Sequence, residues 1–378
     1  MSNFLSLAPQ YLLPFIIVIS IVVFVHEYGH YWVARRCGVK IEAFSIGFGR
    51  EIFGWTDTHG TRWKVCWLPL GGYVKMFGDA DAASTPDAAV KGMTEEEKQV
   101  AFYHQPVEKR MAIVAAGPVT NYLFAILVLT VLFIFQGQPY TPTDVSGLLD
   151  NSAATKAGVQ LHDHIVSVDG QKVHRFEDIK RIIGLNAGTP VPMEIERGTE
   201  TLTLTVTPEI VTMTDRFGGE HKLGRIGITS DELKYRKWPV LKAVRQAVNE
   251  TIDLTGSTLR ALGQMIMGLR GTEELGGPLR IAEMSGHVAQ DGVWALVWFM
   301  GIISINLGLI NLFPVPLLDG GHLAFYTYEK LRGQPLHEKL QDIGMRVGMA
   351  MVLSLMVFAT WNDLVHLKVI AYIRGLFS

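Results

Sequence analysis

Cysteine is almost missing from this 378-residue chain. Cys37 and Cys66 are its two cysteines and form no CxxC pair, which excludes a disulfide framework and a cysteine-rich metal site. Charge is scarce as well. Asp, Glu, Lys and Arg make up 19% of residues, whereas 48% are apolar and mean hydropathy is +0.23. Soluble domains carry about 25% charge, so the composition leans towards a membrane protein. The net charge of −2 gives no electrostatic reason to expect nucleic acid as a partner. The position of the missing charge says more. No charged residue precedes Glu27, and none occurs from Met111 to Phe135, Gly292 to Leu318 or Val347 to Trp361. A membrane-crossing helix needs about 20 apolar residues. The last run is short, so Arg346 and Asp363 would have to snorkel. The pattern predicts a polytopic α-helical membrane protein with four transmembrane helices, over 1–35, 111–135, 292–320 and 345–368. The first run lacks a basic lead and an A-x-A site, and it flows into candidate catalytic residues. It is expected to be retained, not cleaved as a signal peptide.

Lys and Arg predict the orientation. Residues 1–34 contain none, and the segment from Arg35 to Arg110 contains eleven. The 36–110 loop is therefore expected in the cytoplasm, with both termini and residues 136–290 outside. Within that loop, Arg62 to Leu68 reads as an aromatic-rich strand, Pro69-Leu70-Gly71-Gly72 as a turn and Tyr73 to Met76 as a returning strand. Residues 78–99 are acidic and Ala-rich, helical or loose. Outside, residues 138–210 read as an α+β domain. Ile165 to Val168 alternates as a strand, Asp169-Gly170 is a hairpin turn, Phe176 to Ile183 fits a helix and Thr201 to Thr207 a closing strand. The juxtamembrane region 211–290 holds an amphipathic helix over 238–270, with Leu241, Val244, Val248, Ile252, Leu259, Leu262 and Ile266 on one face. Thr255 interrupts that face, and Leu275-Gly276-Gly277-Pro278 ends the helix. Such a helix suits either a membrane edge or packing on the spans.

The chemistry begins at His26-Glu27-Tyr28-Gly29-His30. Helical positions four apart share a face, so the two imidazoles can share one metal while Glu27 reaches its water. Polar groups at the end of an apolar span are costly unless partnered, which favours a functional reading. A catalytic metal needs a third ligand and an open position. Asp319 is the one carboxylate between Gly292 and Phe325, at the same expected depth as the histidine pair. Nearby, Pro314 and Pro316 break the helix and free backbone groups that only protein or water can satisfy. Asn121, inside the second span, is a further polar candidate, and Gly117-Pro118 ahead of it allows close packing. His322 neighbours Asp319; the other histidines show no ligand spacing.

HEYGH in the first span and Asn311-x-x-Pro314-x-Pro316-x-Leu318-Asp319-Gly320 in the third together resemble the site-2 protease family, in the order of the bacterial regulator-of-sigma-E type. Gly71-Gly72-Tyr73-Val74-Lys75-Met76, Ala116-Gly117-Pro118-Val119-Thr120-Asn121 and Ser304-Ile305-Asn306-Leu307-Gly308 support it. The 138–210 segment resembles a PDZ domain in the permuted order of bacterial proteases. Ala157-Gly158 through Asp163, Ile165 and Val168-Asp169-Gly170 carries that likeness, which departs at His162. A familiar relative has two such domains; one fits here. The resemblance implies a zinc metalloendopeptidase of the bacterial inner membrane, with His26, His30 and Asp319 as Zn2+ ligands and Glu27 as general base. Asn311, Pro314, Pro316, Gly71, Gly72, Tyr73 and Asn121 would contact substrate. The hairpin would be a membrane-dipping β-loop that holds the substrate extended. Partners would be the lipid bilayer and single-span proteins, such as an anti-sigma factor already cut outside, or remnant signal peptides. Two other readings stand beside it. A metal transporter also places His and Asp in spans, but needs no glutamate there and would show inverted repeats. An inactive scaffold needs no base.

Overall fold

The fold is that of a computed structural model, which describes residues 2–79, 92–214, 220–230, 233–268, 271 and 276–366. Most of the acidic stretch 78–99 lies outside these, as do Leu275 and the last two residues of the fourth expected span. The chain divides into two compact units. One comprises Met1–Val131, Val244–Thr258 and Thr272–Ser378, and the other Leu132–Ala243 and Leu259–Gly271.

Among the described residues, four helices are long and apolar enough to cross a membrane: Gln10–Arg36, Val107–Phe135, Val293–Asn311 and Lys339–Val365. They belong to α1 (Ser2–Arg36), α3 (Val107–Phe135), α8 (Val293–Asn311) and α10 (Glu338–His366), with α2 (Glu95–Val100) a short capped helix before α3. The third differs from its predicted span of 292–320. It stops at Asn311, and a new helix, α9 (Asp319–Arg332), begins at Asp319. Proline has no N–H to donate, so Pro314 and Pro316 force the chain off the helical path. The fourth is longer than its charge-free core suggested, reaching back through Arg346.

Strands β1 (Ile41–Thr56) and β2 (Arg62–Met76) pair antiparallel, but not as a simple hairpin. Phe44 lies opposite both Val74 and Trp63, and Ser45 opposite both Tyr73 and Lys64. Residues 43–46 therefore sit between two stretches of β2, while 62–65 also pair with 53–56. Two bent strands make a four-ply sheet with 72–76 on its edge. The turn falls at Asp57–Gly60, where Asp57 accepts from the backbone N–H of His59 and Thr61. The Trp63 indole N–H donates to it as well, at 3.0 Å, and together these bonds outweigh burial and hold the Asp57 carboxyl below its usual range. Gly71-Gly72, expected as the turn, is instead a bend within β2. Gly71 has φ of 126°, and the Phe48 ring occupies the space its side chain would need. Phe44 stacks on Trp63 and meets Phe24 of α1 edge-on, tying the sheet to the first span.

The second unit opens with β3 (Gln138–Tyr140), β4 (Gly147–Leu148) and α4 (Ala153–Lys156). Then come β5 (His164–Val168), β6 (Gln171–Lys172), α5 (Phe176–Leu185), β7 (Val191–Arg197) and β8 (Glu200–Val206). The sheet order is β6-β5-β7-β8. Alternation buries Val191, Met193 and Ile195 of β7 with Ile165 and Val168 of β5, against Phe176, Ile179, Ile182 and Ile183 of α5. Asp169 and Gly170 make the expected turn, with φ of 53° and 68°. The unit continues well past residue 210, through β9 (Glu209–Thr214), β10 (Glu220–Arg225), β11 (Ile228–Thr229) and β12 (Lys234–Arg236). β11 pairs with β4, and β12 with β3.

The amphipathic helix is α6 (Val240–Ile266), followed by α7 (Pro278–Gln290). Ala243, Ala247 and Thr251 are its buried residues, whereas Leu241, Val244, Ile252, Leu259 and Ile266 of the predicted face are exposed. Thr255, which breaks that face, approaches the hydroxyl of Tyr122 at 3.4 Å.

Candidate active site

Helical geometry sets the histidine pair. On α1 the rings of His26 and His30 lie one turn apart, both buried, with their Nε2 atoms 3.3 Å from each other. Asp319, the first residue of α9, brings Oδ2 to 3.2 Å from His26 Nε2 and 3.4 Å from His30 Nε2. Two bonds of about 2.0–2.1 Å at the tetrahedral angle span about 3.3–3.4 Å, so the three donors are spaced as a tetrahedral zinc would hold them. Oδ2 is buried and has no hydrogen-bond partner. An orphaned carboxylate oxygen facing two imidazole nitrogens is costly without a cation. The donor set, two nitrogens and one oxygen, therefore fits a metal.

Backbone from α3 supports the pair. His30 Nδ1 lies 2.9 Å from the carbonyl of Ile113. A carbonyl can only accept, so Nδ1 carries a proton and Nε2 is the nitrogen that the neutral ring offers to a metal. Close approach depends on glycine: a Cβ on Gly117 would collide with His30 Nε2, and one on Gly29 with Thr120 and the carbonyl of Ala116.

A cavity of about 340 Å³ opens on the Nε2 side. It is lined by His26, Glu27, His30 and Asp319, by Asn311, and by Gly71, Gly72 and Tyr73. Widely separated stretches of sequence thus meet at one place. Glu27 accepts a hydrogen bond from the backbone N–H of Val74 and lies against Gly72 on the sheet edge. Asn311 brings its amide nitrogen to 3.5 Å from His26 Nε2.

Not every expected residue is on this wall. Pro314 and Pro316 line no part of the cavity; Pro316 instead packs against Gly321 and against Gly344 and Gly348 of α10. Asn121 is fully buried behind His26, with its carboxamide 3.2 Å from Nδ1. Conversely, Leu317, His322 and Tyr326 line the cavity. Leu317 has φ of 91°, a strained conformation for a side chain with a Cβ, immediately ahead of the turn into Asp319. Nothing in the sequence marked Leu317. The i+3 and i+7 spacing of His322 and Tyr326 from Asp319 would have placed them on its helical face. Tyr326 is held by Arg110, whose guanidinium sits 4.7 Å over its ring and pairs with Glu329. Its burial pushes the phenol above its usual range.

Residues 14–355 match the model of peptidase family M50. The Agrobacterium fabrum protein named "Putative zinc metalloprotease Atu1380" is 45% identical over 94% of this chain and 95% of its own. "Metalloprotease MmpA" of Caulobacter vibrioides is 36% identical over 97% and 98% respectively. Among solved structures, the PDZ domain of the SdrC-like protein of Listeria monocytogenes covers 24% of this chain and 90% of its own, at 19% identity. Its TM-score of 0.19 is too low to bear on the fold. With a family match across most of its length and four apolar helices, the chain belongs to peptidase family M50, the site-2 proteases, as a multi-pass membrane metalloprotease.

Proposed function

We propose that this zinc metalloprotease cuts peptide bonds within or beside the membrane-spanning segments of single-span proteins, using His26, His30 and Asp319 as zinc ligands and Glu27 as general base. One observation carries the reading. Three donors at tetrahedral spacing share a cavity with a carboxylate and a strand edge. Zinc, when bound, supplies Lewis-acid polarisation of the scissile carbonyl and makes an attacking water acidic near neutral pH.

The chain's own groups do the rest. Glu27 takes the proton of the attacking water and returns it to the leaving amine. Asn311 presents its amide to the scissile segment's backbone. A helical substrate hides its carbonyls in its own hydrogen bonds, so it must be unwound before cleavage. Residues 72–76 pair on one side only among the described strands, and the N–H of Val74 points to Glu27. An extended substrate laid along that edge has its backbone groups satisfied where water is scarce. The far part of the sheet exposes Ile52, Phe53, Trp55, Trp67 and Leu68, an apolar face suited to dipping into lipid. The outward Leu241, Ile252 and Ile266 of α6 suit a bilayer surface in the same way.

The Lys and Arg distribution supports a site near the cytoplasmic face of a bacterial inner membrane, with both termini and the β-rich unit in the periplasm. That unit reads as a PDZ-like domain. An anti-sigma factor trimmed outside, or a remnant signal peptide, is the substrate class this arrangement suits. Purified Glu27→Gln protein should keep its zinc and lose about 10²–10⁴-fold in cleavage of a single-span reporter in detergent. Asp319→Ala should lose both zinc and cleavage. Undiminished cleavage by Glu27→Gln would end the protease assignment of this site, and full zinc in Asp319→Ala would mean a different third ligand.

A further inference from the structure

We propose that Asn121 is a positioning residue that holds His26 in its zinc-binding tautomer, its carboxamide oxygen accepting the ring Nδ1–H. The inference rests on the zinc-ligand reading of His26 given above. The two histidines are not held alike. The carbonyl beside His30 Nδ1 settles that ring, because it can only accept. Beside His26 Nδ1, at 3.2 Å, stands a carboxamide, which can either donate or accept.

The choice decides what His26 can do. If the amide NH2 donates to a bare Nδ1, the ring proton sits on Nε2, the atom 3.2 Å from Asp319. That nitrogen then has no lone pair for a metal. If the carboxamide turns over, Nδ1–H donates to its oxygen and Nε2 is freed. The same half-turn gives a donor to Oδ1, otherwise buried without a partner, and moves the NH2 to the side the oxygen had faced. Ligating histidines usually hand their second N–H to an acceptor of this kind, which fixes both tautomer and ring orientation.

Asn121 is built for the task. It is fully buried and lines no part of the cavity. Its backbone carbonyl accepts the Ser304 hydroxyl at 2.9 Å, which pins this turn of α3 to α8. A buried amide inside a span carries a desolvation cost that helix-joining alone would not require, since the backbone already makes the join. α3 thus supplies the partner behind each ring, from Ile113 and from Asn121.

The test is zinc affinity by chelator competition on the full-length protein in detergent, with the visible spectrum of the Co2+-substituted protein as a second readout. Asn121→Leu keeps the bulk and removes the acceptor; it should bind zinc about 10–100-fold more weakly and alter the Co2+ bands. Asn121→Asp can only accept, and should hold zinc at least as tightly as wild type. Ser304→Ala removes the helix join and should leave affinity unchanged. Wild-type affinity in Asn121→Leu, or equal weakening in Asn121→Asp, overturns the proposal, and so does an equal loss in Ser304→Ala. If Asn121→Leu does not fold, Asn121→Asp decides alone. Wild type should bind one zinc and His26→Ala none; failure there sinks the ligand reading itself, whereas zinc-replete Asn121→Leu sinks only the role of Asn121.

Discussion

Two aspartates, one in each unit, are treated in opposite ways. Asp163, in the β-rich unit, is fully buried and fully satisfied. Arg197 grips it with Nε and Nη2 at 2.8 Å each, and the backbone N–H of Gln160 donates at 2.7 Å. Burial alone would raise its pKa; the guanidinium and the amide outweigh that and hold the carboxyl below its usual range. Asp319, in the membrane unit, faces two imidazoles and its Oδ2 has no hydrogen bond. A third case, Asp363 of α10, resembles Asp163. It takes backbone N–H bonds from Gly277, Leu279 and Arg280 at the start of α7. Carboxylates that hold structure have their partners within the chain. Of these three, Asp319, whose Oδ2 lacks one, stands where a cation belongs.

Stripping the metal should give the largest separation between the units. Chelator-treated protein should lose cleavage, and hydrogen exchange should rise at 319–322 while β5 and β7 keep their protection. Loss of protection in β5 and β7 would mean that the units are energetically coupled. Asp163→Asn should do the reverse. A hydrogen bond to a charged group contributes about 1.5–3 kcal/mol, and Arg197 is 31% exposed, so a loss near the lower end is expected. It would be read as faster exchange in β5 and β7, with zinc content unchanged.

The smallest effect is that of pH. Because the folded pKa of Asp163 is depressed, its contribution is fully present above the unfolded carboxylate value of about 4. It is lost as pH falls from there through the folded value. Exchange protection of β7 should therefore decline in acid, and Asp163→Asn should flatten that decline. A mutant with the wild-type profile would assign the acid sensitivity to another group.

What the sequence revealed followed chemistry that repeats at fixed spacing. The pair His26 and His30 follows from the helical period, and Asp319 from being a lone carboxylate in an apolar run. The four apolar helices follow from missing charge. What it hid were mostly backbone effects. The carbonyl of Ile113 and the N–H of Val74 have no letter in a sequence. The strained φ of Leu317 arises from a chain that must turn between Phe313 and Asp319. A glycine pair serves a hairpin turn or a bend equally well, and the partner that decides for a bend at Gly71, Phe48, is remote in sequence. The last two strands of the β-rich unit escape for a related reason. β11 and β12 have two and three residues and carry little alternation, and β3 and β12 lie about 95 positions apart, so nothing local links them.

That last pairing has a consequence for engineering and descent. The chain leaves α3 into β3 and returns through β12 into α6, and these two strands run side by side, Gln138 opposite Arg236. The indole of Trp238 donates to the Gln138 side chain, and its backbone N–H donates to Phe133. Entry and exit are buttoned together at the threshold. The stretch between them therefore begins and ends side by side, so the distance its two ends span is set by this pairing and not by its length.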